Sequence, residues 1–291
     1  NVIGVTENLA LISDLLHKSA IEAGRNPADV RLLAVSKKQP LEKIRESAAA
    51  GQRDFGENLV QEGVDKIEAL GDLGLTWHFI GHLQSNKTRV VAENFDWVHT
   101  IDKIKTARRL SQQRPDGDPP LNVCLQIDVD DEDSKAGVAP AAAPELAAAC
   151  AELPNLRLRG LMCLPAIRTE FDEQRVPFAA LRQLAEQLKG AGIDTDTLSM
   201  GMSGDYRAAI FEGATIVRIG TALFGPRTGR LEQNGLRKSR LRRWRKHDAG
   251  SCRRHACGGI YAASRIGLGT AGRASQQSCV GIAGCRDPRA Q

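Results

Sequence analysis

The sequence predicts an α/β fold built as a single (β/α)8 barrel, and three observations carry that expectation. Eight short apolar runs occur between Arg31 and Gly220. Segments with apolar residues at three- and four-residue spacing separate them, and polar residues or glycine stand where the runs stop. An open doubly wound sheet shares the alternation, but it favours neither a count of eight nor so many polar strand ends.

Taken in order, an amphipathic helix over residues 6–24 stands in front of the first strand, "RLLAVS" from Arg31. The next runs are "DFGE" from Asp54, "TWHFIG" from Thr76 and "FDWVHT" from Phe95. They are followed by "LNVCLQIDV" from Leu121, "LRLRGLMCL" from Leu156, "DTLSMG" from Asp196 and "ATIVRIG" from Ala214. Helical periodicity fills residues 41–50, 59–70, 87–93, 103–113, 141–152, 171–189 and 206–212. A chain of 291 residues with 42% hydrophobic content can bury the core that such a barrel needs.

No stretch reaches the about 18 consecutive apolar residues of a membrane span, and no basic, apolar and small-residue series marks an export signal at the N-terminus. The chain therefore reads as soluble and cytoplasmic, with no membrane partner; it opens at Asn1 without a methionine. Its charge is divided. Residues 1–227 carry 26 basic and 32 acidic side chains, and residues 228–291 carry 14 and 3, so the net of +5 describes neither part. Two regions are expected: a barrel with its leading helix over residues 1–227, and a basic, Gly/Arg-rich tail over residues 228–291.

In a barrel the chemistry sits at the C-terminal ends of the strands. Those ends offer Lys37, Asn58, Gly81 with His82, Thr100, Asp128, Pro165, Ser203, and Gly220 with Thr221. The loops after strands seven and eight are where barrels commonly bind phosphate, because glycine admits close backbone approach and a helix start supplies free N–H groups. A phosphate site facing a mouth lysine points to an aldehyde that carries a phosphate and is held as a Schiff base. Strand alternation cannot choose between Lys37 and Lys38, since parallel strands are apolar on both faces. Lys87 and Lys135 read as solvated loop lysines.

"LLAVSKKQP", "DFGENLVQEGVDKI", "WHFIGHLQSNK", "VHTID", "LRLRGLMCLP" and "TLSMGMSGDYRAAI" followed by "GATIVRIGTALFG" together resemble the YggS/PROSC family of pyridoxal 5'-phosphate (PLP) homeostasis proteins. The resemblance runs from Asn8 to Pro226. It implies a TIM-type barrel like the N-terminal domain of alanine racemase, with PLP as cofactor on the lysine after "AVS", which is Lys37. By the same resemblance Ser203 gives a hydroxyl to the phosphate, and backbone N–H groups near Gly204, Gly220 and Thr221 complete the cradle. Arg218 faces the pyridine nitrogen, and Asn58 contacts the ring or its hydroxyl. Other roles stand beside these: a solvated lysine for Lys37, an internal salt bridge for Arg218 and a turn or helix-cap asparagine for Asn58.

An arginine partner donates a hydrogen bond without protonating the ring, which argues against transamination. A racemase also needs a second acid/base opposite the lysine, and the tyrosines are only Tyr206 and Tyr261. The expectation is thus a non-catalytic monomer that stores PLP or delivers it to PLP-dependent apo-enzymes, with no catalytic residue assigned. The alternatives are a one-domain racemase or decarboxylase, and an aldolase-like barrel in which Lys37 attacks a sugar phosphate.

Other motifs yield less. "DVDDED" from Asp128 resembles a calcium loop, but Asp133 stands where glycine is needed and Ala139 where glutamate is needed, so no metal site is expected. The spacing of His247, Cys252, His255 and Cys257 fits no usual zinc pattern. Asp128 and Arg207 depart mildly from the family and bear on hydrogen bonding at the mouth. Cys124, Cys150 and Cys163 read as core residues of a reducing compartment. The tail, with ten glycines in 64 residues, shows no sustained period and reads as disordered or as an altered-frame extension; nucleic acid is an expected partner of the barrel in no reading, and of the tail only through its charge.

Overall fold

The computed structural model describes residues 4–130 and 136–225. Helix α1 (Val5–Glu22) precedes eight strands: β1 (Arg31–Val35), β2 (Asp54–Glu57), β3 (Thr76–Phe79), β4 (Trp97–Ile101), β5 (Leu121–Ile127), β6 (Leu156–Cys163), β7 (Thr197–Ser199) and β8 (Ile216–Ile219). Each is followed by a helix: α2 (Leu41–Ala49), α3 (Val60–Ala69), α4 (Thr88–Asn94), α5 (Ile104–Gln113), α6 (Ala143–Ala151), α7 (Phe171–Gly190), α8 (Tyr206–Phe211) and the single turn α9 (Thr221–Phe224). Every strand pairing is parallel, and β1 pairs with both β2 and β8, so the sheet closes in chain order. The barrel read from the sequence is the barrel that forms.

Two packed layers result from strand alternation. One face of the strands meets the helices in a large apolar shell that includes Phe55, Phe79, Val98, Leu125, Leu161, Phe178 and Ile219. The opposite face lines the lumen, where Trp97, Cys124 and Met162 form a separate cluster. Helix α1 lays Val5, Leu9, Ile12 and Leu16 along one buried face, the spacing of an amphipathic helix. Arg25 follows it and donates to the carbonyls of Ile210 (2.9 Å) and Ala214 (2.8 Å), tying the leading segment to the last repeat.

Several strands, though not β2 or β4, end earlier than the apolar runs suggest. The first ladder stops at Val35, β7 at Ser199 and β8 at Ile219, so Lys37, Ser203 and Gly220 all lie in turns beyond the sheet rather than on strand ends. Hydrophobicity continues past the point where backbone partners diverge, and only the hydrogen bonds mark that point. The "short turn" expected after β8 is the one-turn helix α9. Among the described residues no helix is long and apolar enough to cross a membrane. The boundary at Arg227, the tail over residues 228–291, Asp131, Glu132, Asp133 and Lys135 lie outside the described residues.

Candidate functional site

Ser36, Lys37, Lys38 and Gln39 form the tight turn that follows β1. The Gln39 N–H donates to the Ser36 carbonyl (3.0 Å) and Lys38 takes φ 59°, the positive value that the third position of a type II turn requires. Lys37 is half-buried and Lys38 exposed. The turn therefore distinguishes two lysines that strand alternation could not.

Closure of the barrel places the end of β8 against this same strand. A Cβ on Gly220 would sit 3.2 Å from the Val35 carbonyl oxygen, so glycine permits the approach. Thr221 then opens α9, exposed. The neighbouring loop after β7 holds Ser203 and Gly204, both exposed. This loop is braced from below: Asp205 accepts from the Met202 N–H (2.6 Å), and the Tyr206 N–H donates to the Met202 carbonyl (2.8 Å). Among the described residues no protein group hydrogen-bonds the Ser203 hydroxyl, which faces solvent.

Below the mouth Arg218 is buried in the lumen. It donates through Nη1 to the Ser199 carbonyl (2.6 Å) and Oγ (2.8 Å), and through Nη2 to the Cys163 carbonyl (2.8 Å). Among the described residues no carboxylate lies within ion-pair distance of it. A guanidinium has five N–H donors, and these three bonds leave donors for an acceptor placed above it. Burial draws its pKa below the ordinary arginine value, but it keeps its charge.

A polar column continues downward from Arg218. Ser199 Oγ lies 2.8 Å from His99 Nδ1, His99 Nε2 lies 2.9 Å from His78 Nδ1, and His78 Nε2 lies 3.0 Å from Asp54 Oδ1. Strands β4 and β7 are not neighbours, so the bond between His99 and Ser199 crosses the lumen. Its ends fix its direction. Arg218 can only donate, which turns the Ser199 hydrogen toward His99 Nδ1, and the Asp54 carboxylate can only accept. Both rings are therefore neutral Nε2–H tautomers. Burial pulls the His78 pKa down, and burial, the adjoining His78 ring and the nearby Arg218 and Arg31 guanidinium groups hold His99 well below the ordinary value.

A half-buried lysine, two glycine-bearing loops and the buried Arg218 cation thus lie toward the same end of the barrel. The model of the alanine racemase N-terminal domain family matches residues 18–228. A pyridoxal phosphate homeostasis protein of Pseudomonas aeruginosa is 56% identical over 223 residues, covering 77% of this chain and 96% of that protein. Its counterpart in Escherichia coli K12 is 54% identical over 231 residues, covering 77% and 97%. The chain belongs to the pyridoxal phosphate homeostasis family. The solved structure of PipY from Synechococcus elongatus PCC7942 with PLP bound aligns at TM-score 0.65 and 38% identity, over 76% of this chain and 100% of that one. Alanine racemase from Corynebacterium glutamicum, at 18% identity and TM-score 0.56, shares the fold alone.

Within this family member, the remaining expected residues fall as follows. Asn58 is half-buried at the mouth, and α3 is capped by Leu59, so Asn58 is not the helix cap. Its backbone lies where a Cβ on Gly81 would fall, 2.1 Å from the Asn58 carbonyl oxygen. Lys87 is exposed, as read. Asp128 accepts from the Asp130 N–H (3.4 Å). Arg207 pairs with Glu22 at 3.0 Å and lies over the rings of Phe171 and Phe211, which packs it against α1 and α7. Cys124, Cys150 and Cys163 are buried and unpaired, and burial pushes their thiols up to about 12, about 11 and about 12. Among the described residues no cluster could hold a metal ion.

Sequence reasoning missed the column of Ser199, His99 and His78, and also Glu57 and Lys66. The first three sit at alternate positions of apolar strands, so the signal was present as polar residues in lumen phase. Lys66, on a helix beyond the strand, gave none.

Proposed function

We propose that this chain binds PLP and takes part in its homeostasis, holding the cofactor on Lys37 for storage or delivery. The observation that carries the reading is the meeting of three sites at one barrel mouth: the Lys37 turn, the Gly220 loop packed on the strand before it, and the donating Arg218 beneath. The names of the relatives in Pseudomonas aeruginosa and Escherichia coli, and the PLP in PipY, support the same ligand. When bound, PLP supplies an aldehyde that condenses with a lysine amine, forming a C=N bond and releasing water.

In this reading the residues divide the work. Lys37 provides the amine; Ser203, with N–H groups around Gly204, Gly220 and Thr221, holds phosphate. Arg218 directs a remaining N–H at the pyridine nitrogen and leaves that nitrogen unprotonated, since arginine does not surrender its proton. Asn58 meets the ring edge. An unprotonated ring stabilises carbanions poorly, and that favours a carrier over a transaminase. Racemisation would need a second acid/base over the ring. The described tyrosine, Tyr206, occupies the first turn of α8 with its backbone committed to Met202.

Non-catalysis, a monomeric state, cytoplasmic residence and handover to apo-enzymes belong to the same proposal. A site completed by one closed barrel supports the monomer, and three unpaired buried thiols support a reducing compartment. Purified protein should show visible absorption that Lys37→Ala abolishes without unfolding the barrel. Protein that stays colourless with added PLP would refute the binding claim, and turnover of amino acids by the loaded protein would refute non-catalysis.

A further inference from the structure

Lys66 is a lysine in an unusual setting. It projects from the second turn of α3, is 5% exposed, and spends its three ammonium hydrogens on three acceptors: the Ser36 carbonyl, Glu57 Oε1 and Glu62 Oε1, each at 2.7 Å. A buried ammonium persists only when paired and saturated in this way. The partners extend the network. Ser36 Oγ donates to the same Glu57 Oε1 (2.6 Å), and the Lys38 N–H donates to the same Glu62 Oε1 (2.5 Å).

These bonds converge on one short segment. The residue before Lys37 is held by its carbonyl and its hydroxyl, and the residue after it by its N–H. Lys38 moreover keeps a positive φ that a non-glycine side chain resists, which a turn retains only when its surroundings over-determine it. An ion pair needed for stability alone would have no reason to grip the main chain on both sides of one residue.

We propose that Lys66, with Glu57 and Glu62, is a positioning residue: the cluster clamps the main chain either side of Lys37 and so presents the Lys37 amine to an aldehyde held in the mouth. The proposal rests on the reading that Lys37 is the PLP lysine. It concerns only the covalent half of binding, because neither Lys66 nor its partners belong to the phosphate loops or touch Arg218.

Two ligands separate that half from the rest. PLP can condense with an amine; pyridoxine 5'-phosphate, with an alcohol in place of the aldehyde, cannot. Lys66→Met in the full chain should weaken PLP binding about tenfold, the loss of one charged hydrogen bond's worth of orientation, and leave pyridoxine 5'-phosphate binding unchanged. The fraction of bound PLP that borohydride fixes to protein should fall with it. Since Lys66→Met removes the cation paired with the buried Glu57, Glu57→Gln/Lys66→Met offers a fold-sparing version, and Glu62→Ala, which removes the acceptor that the Lys38 N–H shares with the Lys66 ammonium, should act in the same direction. An equal loss for both ligands, or full PLP affinity in all three variants, would overturn the clamp. If the unaltered protein fails to prefer PLP over pyridoxine 5'-phosphate, the Lys37 reading falls and the clamp falls with it.

Discussion

Ser199→Ala probes the lumen column at its most economical point. The hydroxyl accepts one bond from the Arg218 guanidinium (2.8 Å) and donates one to His99 Nδ1 (2.8 Å), both fully buried. Arg218 keeps its bond to the Ser199 carbonyl, so the first loss is a single hydrogen bond to a charged group, about 1.5–3 kcal/mol. The second is an imidazole nitrogen left without a donor, about 1–3 kcal/mol. Because the two share one atom they do not add in full, and a net cost of about 3 kcal/mol is expected. With m near 2 kcal/mol/M, the urea midpoint should fall by about 1.5 M. The same substitution in a His99→Phe background should cost at least about 1 kcal/mol less, since the stranded acceptor is gone. A midpoint shift below about 0.3 M, or costs that simply add, would refute the directed column from Arg218 to Asp54.

The other expectations follow from the same geometry. Ser203→Ala removes one charge-assisted bond to phosphate, about 1.5–3 kcal/mol, so PLP affinity measured by titration should fall about tenfold to hundredfold while pyridoxal, lacking phosphate, binds the two forms alike. His78 and His99 are held neutral by burial, with folded pKa values below the unfolded value near about 6.5. Depressed values mean stability present above about pH 6.5 and lost as pH falls through the folded values, with a slope of up to about 1.4 kcal/mol per pH unit for each ring; urea titrations from pH 7 to 5 should show it, and His99→Gln should flatten it. A chain ending at Arg227 should melt and bind PLP as the full chain does, because β8 already pairs with β1 and the end of the barrel is fastened by Lys43 Nζ to the Phe224 carbonyl (2.6 Å) and Asn8 Nδ2 to the Leu223 carbonyl (3.0 Å).

The barrel was legible because it is written in apolar periodicity. Each of the eight runs became a strand, and the front helix is offset by only one or two residues from its observed span. What periodicity could not supply is where ladders stop: "RLLAVS" looks like strand through Ser36, yet the ladder ends at Val35 and the chain turns. That turn, with its positive φ at Lys38, separates Lys37 from Lys38, and no local feature of "SKKQ" announces it. The lumen was legible only in part. Arg218 was singled out only through the family resemblance, and Ser199 and His99 meet across the barrel from strands a hundred residues apart, a contact that exists only once the sheet has closed. Lys66 was hidden more thoroughly. In "VDKIEA" it reads as a solvated helix residue, and its burial follows from how α3 lies over the turn after β1.

The central claim is that one lysine of this barrel takes the cofactor. Borohydride reduction of PLP-loaded protein, followed by proteolysis and mass mapping, tests it most directly. The account predicts a single phosphopyridoxyl adduct, on Lys37, absent from Lys37→Ala. An adduct on Lys38, Lys66 or Lys87 in its place, or no adduct from protein that binds PLP tightly, would contradict it.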